Sequence, residues 1–157
     1  AQYPESEFHL VGWIDDNPSA ISQTELDTWI ADGRLKFWGK LSDVRPAIAE
    51  SSVYVLPSYR EGTPRTVLEA MAMGRAVITT DAPGCRETVS NGVNGYLVGV
   101  KSVDDLLQAM QYFIEDPKLI ESMGQRSREI ALNKYDVHQV NQHMLTEMQL
   151  ISQPWPK

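Results

Sequence analysis

Residues 56–74 read LPSYREGTPRTVLEAMAMG, and chemistry-bearing side chains are densest here. Glu61 and Glu69 stand eight positions apart, with Arg60 and Arg65 beside the first of them. Thr63 is suited to cap a helix, and Pro64 suits the first helical position because it has no amide hydrogen to lose. The amides of Arg65, Thr66 and Val67 are then expected to point out of the helix start, where the helix dipole favours negative charge. Gly62 permits a close backbone approach. Together these groups predict an anion pocket suited to phosphate. A carboxylate beside such a pocket is unfavourable unless it accepts hydrogen bonds, and the hydroxyls of a sugar are suitable donors. Phosphate binding flanked by two such acids describes a nucleotide sugar better than a free nucleotide. The plainer alternative makes both acids solvated surface charges.

The pocket needs a frame that brings a strand end, a loop and a helix start together. Five short apolar runs supply candidate strands: Phe8 to Trp13, Leu35 to Gly39, Val53 to Pro57, Ala76 to Thr80 and Gly95 to Val98. Such continuous runs suit strands covered on both faces, as in a parallel sheet. Helical patterns lie between them at Gln23 to Asp32, Asp43 to Glu50, Pro64 to Met73 and, briefly, Arg86 to Asn91. Alternation of this kind predicts an α/β fold with a Rossmann-like parallel sheet and flanking helices. Open sheets of that class bind ligands at the carboxyl ends of their strands, where the loop at 57–64 falls.

The last third is helical. Ser102 with Asp105 resembles a capping pair, and Val103, Leu106, Leu107, Met110 and Ile114 recur at helical spacing. A second helix is expected after Pro117 and a third over 136–151, before a tail whose Pro154 and Pro156 cannot continue it. No repeat or linker divides the chain, so residues 1–157 are expected to form one domain.

Composition narrows the function classes. The chain has 157 residues, 14 Lys plus Arg against 21 Asp plus Glu, and a net charge of −7. An acidic balance argues against nucleic acid, whose phosphates call for a basic face. The one cysteine, Cys85, excludes an internal disulfide, fits a reducing compartment and reads as structural rather than reactive. No apolar run approaches the ~18 residues of a membrane span. His9, His138 and His143 lack metal-ligand spacing, Asp15-Asp16-Asn17-Pro18 reads as a polar turn, and no metal is expected. Trp13 and Trp38 read as core before cleft rim, and the Arg86–Glu87 pair as either a ligand-approaching loop or an exposed pair.

The strand, the Pro57-Ser58 step, the Glu-x7-Glu spacing and the small-residue helix together resemble the donor-binding signature of retaining family 4 glycosyltransferases of the GT-B fold. The segment AVITTDAPGCRETVSNGVNGYLV (76–98), Phe37 to Lys40 and 123–135 also resemble that family, in the same order. TDAPGCRE looks closest to enzymes that assemble capsular, O-antigen or other lipid-linked bacterial glycans. The resemblance implies that Glu69 holds the ribose hydroxyls and Glu61 contacts the donor sugar near its reacting carbon, the catalytic position. Ser58 and the stretch Gly62, Thr63, Pro64, Arg65, Thr66 and Val67 would serve sugar and diphosphate. Trp38, Gly39, Lys40 and Leu41 would border the nucleobase, and Gly12 would line the same cleft. It further implies a nucleoside-diphosphate sugar as donor, a UDP-sugar before a GDP-sugar, with no metal or other cofactor. An acceptor glycan or lipid-linked sugar would be bound by a separate N-terminal domain, in the cytoplasm or at the inner face of its membrane.

In that family the donor domain has a strand and helix before the first run seen here, carrying an Arg and a Lys that stabilise the leaving diphosphate. The chain is therefore expected to be a fragment of a two-domain enzyme, inactive alone. Without that strand, the first and third runs are expected to pair directly, to take an element from a second copy in a strand-exchanged dimer, or to be covered by residues 1–7. Two other readings are a GT-B sugar-nucleotide epimerase and a non-catalytic nucleotide-sugar-binding module.

Overall fold

A computed structural model describes residues 3–18, 20–33 and 35–150. The chain divides into two compact units, 1–51 and 52–157.

In the first unit, strand β1 (Phe8–Val11) runs parallel to β2 (Leu35–Gly39), with an irregularity between Leu10 and Val11. Helix α1 (Gln23–Ala31) crosses between them, its start fixed by a capping box in which Ser22 and Glu25 exchange hydrogen bonds. Leu26 is its buried anchor. The short α2 (Arg45–Glu50) begins where Asp43 accepts from the Arg45 amide at 3.0 Å and from its guanidinium at 2.7–2.8 Å. Hydrogen bonding to Arg45 holds the Asp43 carboxyl down at about 2.

The second unit carries strands β3 (Val53–Leu56), β4 (Ala76–Thr80) and β5 (Gly95–Val98) in the order β3-β4-β5, all parallel. Every residue of β4 is buried, which is why AVITT shows no alternation. Its two faces found two cores. Ala76 and Ile78 pack with Val98, with Ala109 and Phe113 of α4 (Val103–Glu115), and with Met123 of α5 (Lys118–Lys134). Val77 packs on the other side with Val67 and Met71 of α3 (Arg65–Ala72), Val89 and Ala131. α6 (Val137–Glu147) closes the described chain behind an Asp136 cap.

All five strands and six of the seven expected helices are present, and the α/β class with parallel sheets is as the patterning predicts. The Arg86–Asn91 piece is not a helix. Isolated turns replace it, because the Thr88 hydroxyl takes the Cys85 carbonyl at 2.7 Å and the buried Asn94 side chain takes the Ser90 amide at 2.7 Å. α6 ends at Glu147 rather than 151, with Gln149 in a left-handed conformation (φ 57°). Residue 151 and the proline tail lie outside the described residues. Trp13 is two-thirds exposed and is not core. Residues 3–7 contribute a turn and no strand.

α5 reaches β4 through glycine. A Cβ on Gly124 would stand 2.2 Å from the Gly74 carbonyl oxygen in the turn between α3 and β4. Beside it, Arg128 donates to the Ala72 carbonyl at 2.9 Å. Gly124→Ala is expected to destabilise the fold by ~1–3 kcal/mol through overpacking. An unchanged midpoint in urea denaturation would contradict this close approach.

Candidate functional site

Where β3 and β4 end, their backbone turns away from the ladder and its carbonyls need new partners. Two threonines on β4 supply them. Thr79 Oγ1 donates to the Leu56 carbonyl at 2.8 Å, and Thr80 Oγ1 donates to the Ser58 carbonyl. The loop at 57–64 is thereby tied to the sheet at its first two turns. Ser58 Oγ then donates to Glu61 Oε1 at 2.7 Å, and the Glu61 amide donates to the Pro83 carbonyl at 3.1 Å. Glu61 is half-buried with one carboxylate oxygen engaged, while Gly62 and Thr63 are exposed.

α3 starts one residue later than expected. Pro64 (φ −69°, ψ 108°) is extended and serves as the cap, Arg65 is the first helical residue, and no side chain caps the start. Thr63 therefore does not fill the cap position anticipated for it. Proline's fixed φ suits the cap as well as the first turn, and its ψ decides between them. The Pro64 carbonyl accepts from the amides of Val67 (3.1 Å) and Leu68 (3.2 Å), so the Val67 amide is not free for a ligand. The Arg65 and Thr66 amides have no backbone acceptor among the described residues. Arg60 and Arg65 are exposed, and Glu69 is half-buried two turns in.

The two acids share a neighbour that the sequence reading did not single out. Burial pushes the Tyr54 phenol up, and the charges of Glu69 and Glu61 both push it further, against a hydrogen bond from the Thr66 side chain. Tyr54 lies on β3, directly beneath the loop in chain order, so one phenol senses both carboxylates and the helix start. The only sequence signal was a phenolic oxygen inside an otherwise apolar strand.

The remaining expected residues lie in the first unit. Gly12 (φ 146°) donates its amide to the carbonyl of Gly39 (φ 67°) at 3.0 Å, fastening the two strand ends together. Trp38 is half-buried, with the Lys36 ammonium 4.3 Å from its ring centroid and the His9 ring 5.8 Å away. The Trp38 Nε1 and His9 Nδ1 atoms are buried without a hydrogen-bond partner among the described residues. Lys40 sits 4.5 Å over the exposed Trp13 ring, and Leu41 is half-buried. Back in the second unit, Arg86 spends its charge on Asp81, 2.8 Å from the carboxylate and 2.8 Å from the carbonyl. The Glu87 carbonyl accepts from Lys134 and from the Tyr135 hydroxyl, both at 2.7 Å. Both residues of that pair thus serve the structure of the loop. Cys85 is fully buried. Among the described residues no three His, Cys, Asp or Glu side chains gather into a metal-holding cluster.

Residues 1–116 match the family model of glycosyl transferases group 1, and the chain belongs to that family. It is 36% identical over 138 residues to the N,N'-diacetylbacillosaminyl-diphospho-undecaprenol alpha-1,3-N-acetylgalactosaminyltransferase of Campylobacter jejuni, covering 88% of this chain and 35% of the relative. Among solved structures, Anabaena Alr3699/HepE in complex with UDP superposes with a TM-score of 0.84 at 26% identity, over 94% of this chain and 42% of that one. The same protein with UDP-glucose gives a TM-score of 0.78 at 25% identity, with the same coverage. The fold is accordingly one α/β half of the GT-B architecture. The chain spans about a third of the length of the Campylobacter relative and about two-fifths of the Anabaena protein.

Tyr54 offers a direct probe of the acids. Its neutral form is favoured by the fold, so this contribution to stability is full below the ordinary tyrosine value of ~10 and is lost as pH rises through the higher folded value. Ring-carbon NMR is expected to show Tyr54 ionising above ordinary tyrosines, with Glu61→Gln and Glu69→Gln each lowering that value. A Tyr54 titration indifferent to both substitutions would place the carboxylates out of reach of the phenol.

Proposed function

We propose that this chain is the donor-binding part of a retaining glycosyltransferase that uses a nucleotide-activated sugar, a UDP-sugar in preference to a GDP-sugar. The observation that carries the reading is that one loop, tied to the end of the sheet by Thr79 and Thr80, brings the Ser58-held Glu61 carboxylate up to the uncapped start of α3. Two unpaired amides and the helix dipole provide an electropositive mouth, and the flanking acids provide acceptors for hydroxyl groups. The diphosphate would lie against the Arg65 and Thr66 amides, with Arg60 and Arg65 adding positive charge. Glu69 would accept from the ribose, and Glu61, whose second oxygen is left by Ser58, from the donor sugar. As the bond between the sugar and the diphosphate breaks, negative charge grows on the leaving oxygen. Preorganised amides and cations stabilise that charge without reorganising.

The acceptor of the whole enzyme is proposed to be a glycan or lipid-linked sugar in bacterial cell-surface polysaccharide synthesis; the name of the Campylobacter relative carries a diphospho-undecaprenol-linked sugar. None of the described helices is long and apolar enough to cross a membrane. Work at the inner face of the cytoplasmic membrane would then rest on peripheral contact.

Titration of the chain with UDP, GDP and ADP, followed by backbone amide shifts, tests the reading. Shifts are expected to cluster over residues 62–69. A hydrogen bond to a charged carboxylate is worth roughly 1.5–3 kcal/mol, so Glu69→Ala is expected to weaken UDP binding ~10- to 100-fold. Silence of those amides toward all three nucleotides would overturn the assignment.

A further inference from the structure

The loop after β4 makes an unusually close approach to the loop that carries Glu61. Gly84 is left-handed (φ 84°), and a Cβ placed on it would lie 1.8 Å from the Gly62 carbonyl oxygen and 2.2 Å from that of Glu61. These are backbone atoms, which cannot rotate aside as a flexible side chain would. One residue earlier, the Pro83 carbonyl accepts the Glu61 amide at 3.1 Å. The peptides at 83–84 and 61–62 therefore lie directly against each other.

The platform under this contact is rigid. Ala82 and Cys85 are buried, the Ala82 carbonyl accepts from the amides of Cys85 (3.1 Å) and Arg86 (3.0 Å), and the Arg86–Asp81 pair braces its outer side. From below, the buried Thr80 hydroxyl holds the Ser58 carbonyl, and the Ser58 hydroxyl holds the Glu61 carboxylate. Glu61 is thus fixed at its amide by the loop after β4 and at its carboxylate through Ser58. α3 has a separate anchorage, since Val67, Ala70 and Met71 are wholly buried. Glu69 and the helix start depend on that anchorage and not on Gly84.

We propose that Gly84 and Thr80 are positioning residues that place the Glu61 carboxylate and so govern recognition of the donor's sugar moiety, separately from its nucleotide moiety. The inference rests on the nucleotide-sugar reading above and deepens it. Substituting Gly84 must push the 61–62 peptide away, while removing the Thr80 hydroxyl frees Ser58 and with it the Glu61 carboxylate. Neither change touches the packing that holds the start of α3.

The test uses the whole 157-residue chain, with UDP, UDP-glucose and UDP-N-acetylgalactosamine as probes. UDP affinity is read by calorimetry, and sugar contact by saturation transfer to the hexose ring protons. Losing one hydrogen bond is worth about a 5-fold effect, so Gly84→Ala and Thr80→Val are expected to cut transfer to the hexose by that much or more while UDP affinity stays within about 2-fold. Thr80→Ser, which keeps the hydroxyl, is expected to restore it. Should Gly84→Ala fail to fold, the Thr80→Val and Thr80→Ser pair carries the same comparison.

Unchanged hexose transfer in the folded variants would overturn the proposal. So would a parallel loss of UDP affinity, a failure of Thr80→Ser to restore, or a native chain that binds UDP with no transfer to either hexose. A native chain that binds no UDP at all overturns the nucleotide-sugar reading itself, and this inference with it.

Discussion

A strand that leaves a parallel sheet strands its last carbonyls in a place with little water, and something must donate to them. In the second unit that duty falls to two hydroxyls on the central strand. Thr79 and Thr80 hold the carbonyls of Leu56 and Ser58, and the loop that carries Glu61 hangs from these attachments. An unsatisfied buried carbonyl costs about 1–3 kcal/mol, so the loop has a strong reason to stay where they put it. From Ser58 the order passes to Glu61, and from Glu61 to the loop after β4. Since β4 is buried along its whole length, its threonine hydroxyls have no competing water. The sheet's core and the loop's geometry are one structure.

The electrostatics follow from that frame. Two half-buried acids accompany the electropositive helix start. Glu61 keeps one hydrogen bond from Ser58, and its charge, with that of Glu69, bears on the Tyr54 phenol. Hydroxyl donors for the acids and an anion for the helix start would together satisfy groups that the protein leaves open.

Most of the fold was legible because burial wrote it plainly. The run AVITT is a fully buried strand and reads as one, and α4 was legible as a helix, although its buried residues are Ala109 and Phe113 while Val103 and Leu107 of the expected stripe are exposed. Errors arose where tertiary hydrogen bonds compete with local propensity. Arg86 to Asn91 looks helical until the Asn94 side chain, fixed by burial against α5, captures the Ser90 amide. Pro64 fits either of two adjacent helix positions, and its ψ of 108° makes it the cap rather than the first helical residue. The Glu-x7-Glu spacing exposed the acids themselves, yet Tyr54, Thr79 and Thr80 were hidden among strand residues. Their roles exist only once β3 and β4 lie side by side.

The central claim is that the first turn of α3 receives a diphosphate while Glu69 holds the attached pentose. A crystal structure of this chain grown with UDP measures that most directly. The account predicts phosphate oxygens about 2.7–3.2 Å from the Arg65 and Thr66 amides, with a Glu69 oxygen on the ribose hydroxyls. UDP bound with its phosphates away from those amides, or with Glu69 turned from the ribose, would contradict it.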